Sequence, residues 1–293
     1  MAATPSRTIV VIALLLAAGQ LRLAGGQEPA ASAVDDTVTR IGDYIKQYYS
    51  RAQSIVAQEV VTMQPVSRDF GPIGFARHVT YETRVDWNPD ATGDDQTVTV
   101  VRELIKASGP PLGSLDDPDC FDPKGVSPEP LAFLLPDRRE TLRWKSAGST
   151  TFDGRAAVVV EYRPVRRDPP QVTWNKDCGN IDMPGHLVRR VWADAATLQV
   201  MRVDEHLIGP VDIPVPRHKP PRAGDARYFT VERSDTSIRY RSVSFTDPDE
   251  TLLLPSEIQS LSVILNSGVP RLRTTQVFSK YRRYVTGSRL VVE

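Results

Sequence analysis

His-Leu-Val-Arg-Arg-Val-Trp-Ala-Asp-Ala-Ala-Thr-Leu-Gln-Val-Met-Arg-Val-Asp-Glu-His-Leu-Ile, residues 186–208, holds two β-prone runs around a short polar break. The runs are Leu187 to Ala193 and Leu198 to Leu207, and the break is Asp194 to Thr197. Branched and aromatic side chains fit a pleated, half-buried surface, so the pattern predicts a β-hairpin. A turn centred on Ala196 sets Val191 opposite Met201, Arg189 opposite Val203, Trp192 opposite Val200 and His186 opposite His206. Successive side chains alternate faces, and each face mixes apolar with charged groups. One face is expected to meet a core and the other solvent, with this hairpin at the centre of one large antiparallel sheet.

Beyond the hairpin, residues 209–222 hold five prolines, Pro210, Pro214, Pro216, Pro220 and Pro221. Proline has no amide donor for a ladder, which predicts an extended surface loop. Phe229 to Phe245, Leu252 to Leu265 and Arg271 to Val285 read as three more strands. Asp247-Pro248-Asp249 and Asn266-Ser267-Gly268 supply the turns between them. Before the hairpin, residues 151–163 contain a turn at Asp153-Gly154 and the apolar run Ala156 to Val160. Residues 54–64, 75–87 and 97–106 are also strand-like, with Phe75, Val79, Tyr81, Val85 and Trp87 on one face of the second. A short apolar helix, Pro128 to Leu135, capped by Ser127 and carrying Leu131, Phe133, Leu134 and Leu135, begins at the end of the loop-rich residues 107–130. Val34, Val38, Ile41, Ile45 and Tyr48 keep the spacing of one helical stripe. That helix, 35–49, is expected to start at Asp35 or Asp36 and to lie flat on the sheet, with residues 27–33 unstructured.

The first residues predict the compartment. Arg7, the apolar run Ile9 to Ala18 and small residues at Ala24, Gly25 and Gly26 form a secretory signal peptide, residues 1–26, cut before Gln27. Residues 27–293 then form a single β-rich domain of an exported chain, periplasmic or secreted, with no transmembrane span in its mature part. With 36 basic and 36 acidic residues, the chain has no general pull toward nucleic acid. Cys120 and Cys178 both fall in loop-like, Asp- and Pro-flanked sequence. Export predicts a disulfide between them, the alternative being two free thiols.

Three patterns in these strands are similar to a known group. Val191-Trp192-Ala193-Asp194 followed by Leu198-Gln199-Val200-Met201-Arg202 resembles the hairpin of exported lipoprotein-carrier-like domains. Leu254-Pro255-Ser256-Glu257-Ile258 resembles that group's entry to a following strand, and Val277-Phe278-Ser279-Lys280-Tyr281-Arg282 its closing strand. The group is the LolA/LppX-like periplasmic carriers, and the resemblance spans mainly residues 155–285. It implies an α+β fold, a curved antiparallel sheet forming an incomplete barrel, with the two helices closing an apolar cavity for acyl chains.

Catalytic chemistry is not evident. His78, His186, His206 and His218 form no metal-binding spacing, although His186 opposite His206 would make half a site. Asp116, Asp117, Asp119 and Asp122 surround Cys120, and Asp177 and Asp182 surround Cys178, a set of oxygens that calcium could take or solvent could cover. Glu161, Asp204 and Glu205 have no evident acid–base partner, and there is no nucleophile elbow or nucleotide loop. The pairs Arg166-Arg167, Arg189-Arg190 and Arg282-Arg283 admit a basic stripe or a salt-bridged surface. The resemblance, together with strands whose two faces both carry apolar groups, implies a non-enzymatic binding protein for an acyl chain or another apolar ligand, with no metal or cofactor expected. Phe133, Leu134, Val191, Met201 and Val203 are the candidate cavity lining, or else core filling. The other reading is an interaction module in a cell-envelope assembly, docking through the proline-rich loop at 209–222.

Overall fold

A computed structural model describes residues 31–52, 55–87, 98–110, 130–175, 178–183, 185–214, 228–267 and 270–283. The signal segment, Ser127, His218, Cys120 with its acidic neighbours, Asp177 and residues 215–227 lie outside these. In chain order the elements are α1 (Ala31–Ala52), β1 (Ile55–Pro65), β2 (Arg77–Trp87) and β3 (Val98–Ser108). Two 3-10 turns, Pro130–Leu134 and Pro136–Thr141, lead into β4 (Leu142–Phe152) and β5 (Arg155–Pro164). Then come β6 (Gln171–Asn175), β7 (Cys178–Asp182), β8 (Leu187–Asp194), β9 (Val200–Leu207) and β10 (Val211–Pro214). The long strands β11 (Tyr228–Thr246), β12 (Asp249–Leu265) and β13 (Leu272–Arg283) close the series.

Eleven strands join one sheet in the order β3-β2-β1-β13-β12-β11-β9-β8-β5-β4, with β10 beside β11 in line with β9. Neighbours pair antiparallel, and β3 and β4 remain as open edges, giving a curved, incomplete barrel. The registers line up one row of directly opposed residues: Val160, Val191, Val203, Ile238, Ile258, Gln276, Val61 and Val79. Opposed residues share a face, and every member of this row is buried. The row marks the inner face of the sheet.

The central hairpin forms as the sequence predicts, but in another register. Val191 opposes Val203 rather than Met201, Arg189 opposes Glu205, and Trp192 opposes Arg202. His206 faces Val188, not His186, and His186 instead contacts the Asp168 carbonyl at 3.0 Å. The half metal site therefore does not form. The cause is the turn: Asp194 Oδ1 accepts from the Ala196 and Thr197 amides at 3.0 and 2.8 Å, and from the Thr197 hydroxyl at 3.0 Å. Those bonds hold the Asp194 carboxyl below the usual carboxylate range, the Thr197 amide contributing most. The loop widens through Leu198, at φ 59°, and a bulge after Trp192 restores the alternation.

Helix α1 starts earlier than Asp35, so neither Asp35 nor Asp36 is its cap, and residues 31–33 are helical. Its predicted stripe holds: Val38, Ile41, Ile45 and Tyr48 are buried, joined by Tyr49 and Ala52. They share one hydrophobic cluster with Val160, Val191, Val203, Ile238 and Ile258 of the sheet. The predicted short helix is the first 3-10 turn, whose Leu131 and Leu134 enter the same cluster. It crosses α1 at Gly42, where a Cβ would meet the Leu134 carbonyl oxygen at 2.8 Å.

Four other expectations change. Residues 142–152, not foreseen as a strand, form β4, and Asp153-Gly154 with φ 47° and 76° make the tight turn into β5. Residues 171–175 and 178–182 pair as the two-stranded sheet β6–β7, so Cys178 opens a strand instead of sitting in a loop. The proline-rich segment is not wholly a surface loop, because Val211 and Ile213 of β10 are buried against β11. Phe75 precedes β2 and is 80 % exposed.

Alanine is about 1 kcal/mol better than glycine inside a helix. Gly42→Ala should nonetheless lower the thermal midpoint, because the new methyl meets a backbone carbonyl that must move. An unchanged or raised midpoint would show that α1 and the 3-10 turn are loosely docked.

Candidate functional site

The inner face is a trough, filled by α1 and the first 3-10 turn. Of the candidate lining residues, Leu134, Val191, Met201 and Val203 are buried in the main cluster, and Phe133 packs partly buried against it. The structure thus brings all five together, Val191 directly opposite Val203, in contact with α1's cluster. A separate cavity of about 30 Å³ lies at the C-terminal end of α1, lined by Ala52, Ile55, Val85, Leu254, Phe278 and Thr83 among others. That volume holds roughly one or two waters, far less than an acyl chain.

Two polar constellations interrupt this apolar face, and sequence reading named neither as a unit. The first centres on Glu59, fully buried on the inward side of β1 between Ala57 and Val61. Arg102 of β3 grips it with Nε to Oε2 at 2.7 Å and a terminal nitrogen to Oε1 at 3.2 Å. The Thr83 hydroxyl donates to Oε2 at 2.7 Å and the Gln276 amide to Oε1 at 2.5 Å. A buried carboxylate survives only when paired and hydrogen-bonded in this way. An acid in the inward register of residues 54–64 was the available signal.

The second is a cross-strand row next to the apolar one: Trp144 of β4, Tyr162 of β5, Arg189 of β8, Glu205 of β9 and Thr236 of β11. Arg189 is bound to Glu205 and its guanidinium carbon lies 5.1 Å from the Phe133 ring centre. The Phe133 and Trp144 rings lie 4.4 and 4.9 Å from that of Tyr162. Burial pushes the Tyr162 phenol well above the usual tyrosine range. Burial works against the Arg189 charge, but Glu205 and Tyr162 outweigh it and raise its pKa. Glu205 is therefore a structural counter-ion, not an isolated acid.

The outer face is salt-bridged. Glu161 is held by Arg190 at 3.0 Å and Arg163 at 3.3 Å, with Arg190 foremost in keeping its carboxyl below the usual range. Arg202 binds Asp204 at 2.7 Å and stacks 4.9 Å from the Trp192 ring centre, while Arg282 meets Glu82. The arginines thus belong to a matched surface rather than a bare basic stripe. Among the described residues no group of three or more His, Cys, Asp or Glu is placed to hold a metal ion. No helix there is long and apolar enough to cross a membrane.

No family model matches the sequence, and no curated protein matches it. Solved structures do resemble it. A DUF1329 family protein from Desulfovibrio piger aligns over 86 % of this chain and 94 % of its own, at 11 % identity and TM-score 0.40. A LolA superfamily protein from Nitrosomonas europaea aligns over 89 % and 97 %, at 6 % identity and TM-score 0.36. The chain is similar to these in general architecture, at a level that carries no function with it.

Removing one partner of a buried ion pair leaves a bare charge and typically costs about 3–5 kcal/mol. Arg102→Met should lose about that much in urea unfolding, and Glu59→Gln in the Arg102→Met background should recover part of it. Additive losses would mean that the pair is not the organising contact.

Proposed function

We propose that the chain is an exported, non-enzymatic binding protein for an acyl chain or a similar apolar ligand. One observation carries the proposal: the inner face of an unclosed sheet is apolar across eight strands and is filled by a helix held mainly through side-chain packing. Burying each of Val38, Ile41, Ile45, Tyr48 and Tyr49 is worth roughly 1.5–3 kcal/mol. An acyl chain gains about 0.8 kcal/mol per buried methylene, so a chain of common length matches the whole stripe to within that range. A near-balanced exchange of helix for ligand is the physical requirement of a carrier that loads and releases. Val191, Met201 and Val203 would then line the opened trough, with Phe133 and Leu134 on the moving cover. The small cavity at Ala52, Ile55 and Phe278 marks where packing under α1 is already incomplete.

The test is direct. Full-length protein, recovered from an exporting host by gentle extraction, should carry lipid detectable by native mass spectrometry. After delipidation it should take up diphenylhexatriene, an apolar fluorescent probe. Absence of bound lipid together with no probe uptake would overturn the proposal.

Export also carries a redox consequence. Cys120 lies outside the described residues, and the disulfide with Cys178 remains our expectation. Unreduced protein, unfolded in denaturant, should take no thiol label; two labels per chain would mean free cysteines.

A further inference from the structure

The row beside the apolar trough holds two buried donors that lack an acceptor among the described residues. Tyr162 is 1 % exposed, and its hydroxyl proton has no acceptor among the described residues, because the Arg189 guanidinium beside it is itself a donor. The indole N–H of Trp144, directly opposite on the neighbouring strand, is equally buried and equally without one. A buried donor left unsatisfied costs about 1–3 kcal/mol, so two in contact are a standing reason to take up an acceptor. Arg189, the next member of the row, is committed to Glu205, so that pair adds no net charge. The phenol keeps its proton, since burial raises its pKa, and it stays a donor. Phe133 of the 3-10 turn packs on the Tyr162 ring and lies against Arg189, and thus covers that end of the row.

We infer that Trp144 and Tyr162 form the polar-end site of the ligand, taking the carbonyl oxygen of an acyl ester whose chain lies in the trough. Two features favour an uncharged carbonyl over a carboxylate: the donors are neutral, and Arg189 beside them is already neutralised by Glu205. The inference rests on the apolar-ligand proposal and adds to it the chemistry of the ligand's end. Movement of Phe133 with the 3-10 turn would open the donors and the trough together.

The experiment uses the full chain and its Tyr162→Phe, Trp144→Phe and doubly substituted variants. Each is titrated with cis-parinaric acid methyl ester, with the free acid, and with diphenylhexatriene, which has no oxygen. The double variant should bind the methyl ester about tenfold more weakly, the scale of one to two neutral hydrogen bonds. Its affinity for diphenylhexatriene should be unchanged. Because neither donor has an acceptor to lose, and Arg189 keeps Glu205, the ligand-free thermal midpoint of Tyr162→Phe should be unchanged or higher. Unaltered ester affinity in the double variant overturns the inference alone, provided that wild type takes up the apolar probe. A loss confined to the free acid overturns the ester assignment. A fall of several degrees in the ligand-free Tyr162→Phe midpoint shows that the hydroxyl has a structural partner and also overturns it. If wild type takes up no probe at all, the apolar-ligand proposal falls and this inference with it.

Discussion

One row of opposed side chains, Val160 to Val79, fixes how the eight strands that it crosses can sit. Each member is buried only because its strand pairs in one register, and a slip by one residue would turn that whole strand's apolar set outward. The chain absorbs the mismatches of its long strands in bulges. Register breaks occur in the β1–β13, β2–β3, β4–β5, β8–β9 and β11–β12 pairs. A bulge adds a residue and local twist without losing the inward alternation beyond it. Curvature and a continuous buried face therefore have the same origin.

Curvature in turn sets the place of the helix. A bent, unclosed sheet has an inner face that water would otherwise wet, and α1 supplies the matching apolar stripe from Val38 to Ala52. Gly42 lets the first 3-10 turn pack directly on the helix backbone, so that the two covers form one body. What fills the trough is a segment of the same chain, attached by packing rather than by strand pairing. That difference in attachment is what makes exchange for a ligand physically reasonable.

Charges follow a consistent rule. On the outer face acids and arginines pair in solvent, where each pair contributes little. On the inner face charge is admitted at Glu59 with Arg102 and at Arg189 with Glu205, each with its counter-ion across the strands. The Arg189–Glu205 rung lies next to the apolar row, whereas Glu59 interrupts the apolar face between Ala57 and Val61.

The sequence alone determined the strands with clear alternation or strong turns. The β11–β12–β13 meander, the Asp153-Gly154 turn, the α1 stripe and the existence of the 187–207 hairpin were all legible. Each rests on local physics: period, turn chemistry or helical spacing. The hairpin register was not legible, because it depends on how many loop residues Asp194 gathers with its carboxylate, which spacing does not reveal. Strand β4 was hidden because its exposed edge carries polar residues in place of an apolar run, and β10 because its prolines obscure two buried residues. Gathering Phe133, Trp144, Tyr162 and Arg189 needed three strands in register and a turn folded over them. Only tertiary structure could decide that, because contacts between segments far apart in the chain are set by the packing of the whole sheet and leave no periodic trace in any one of them.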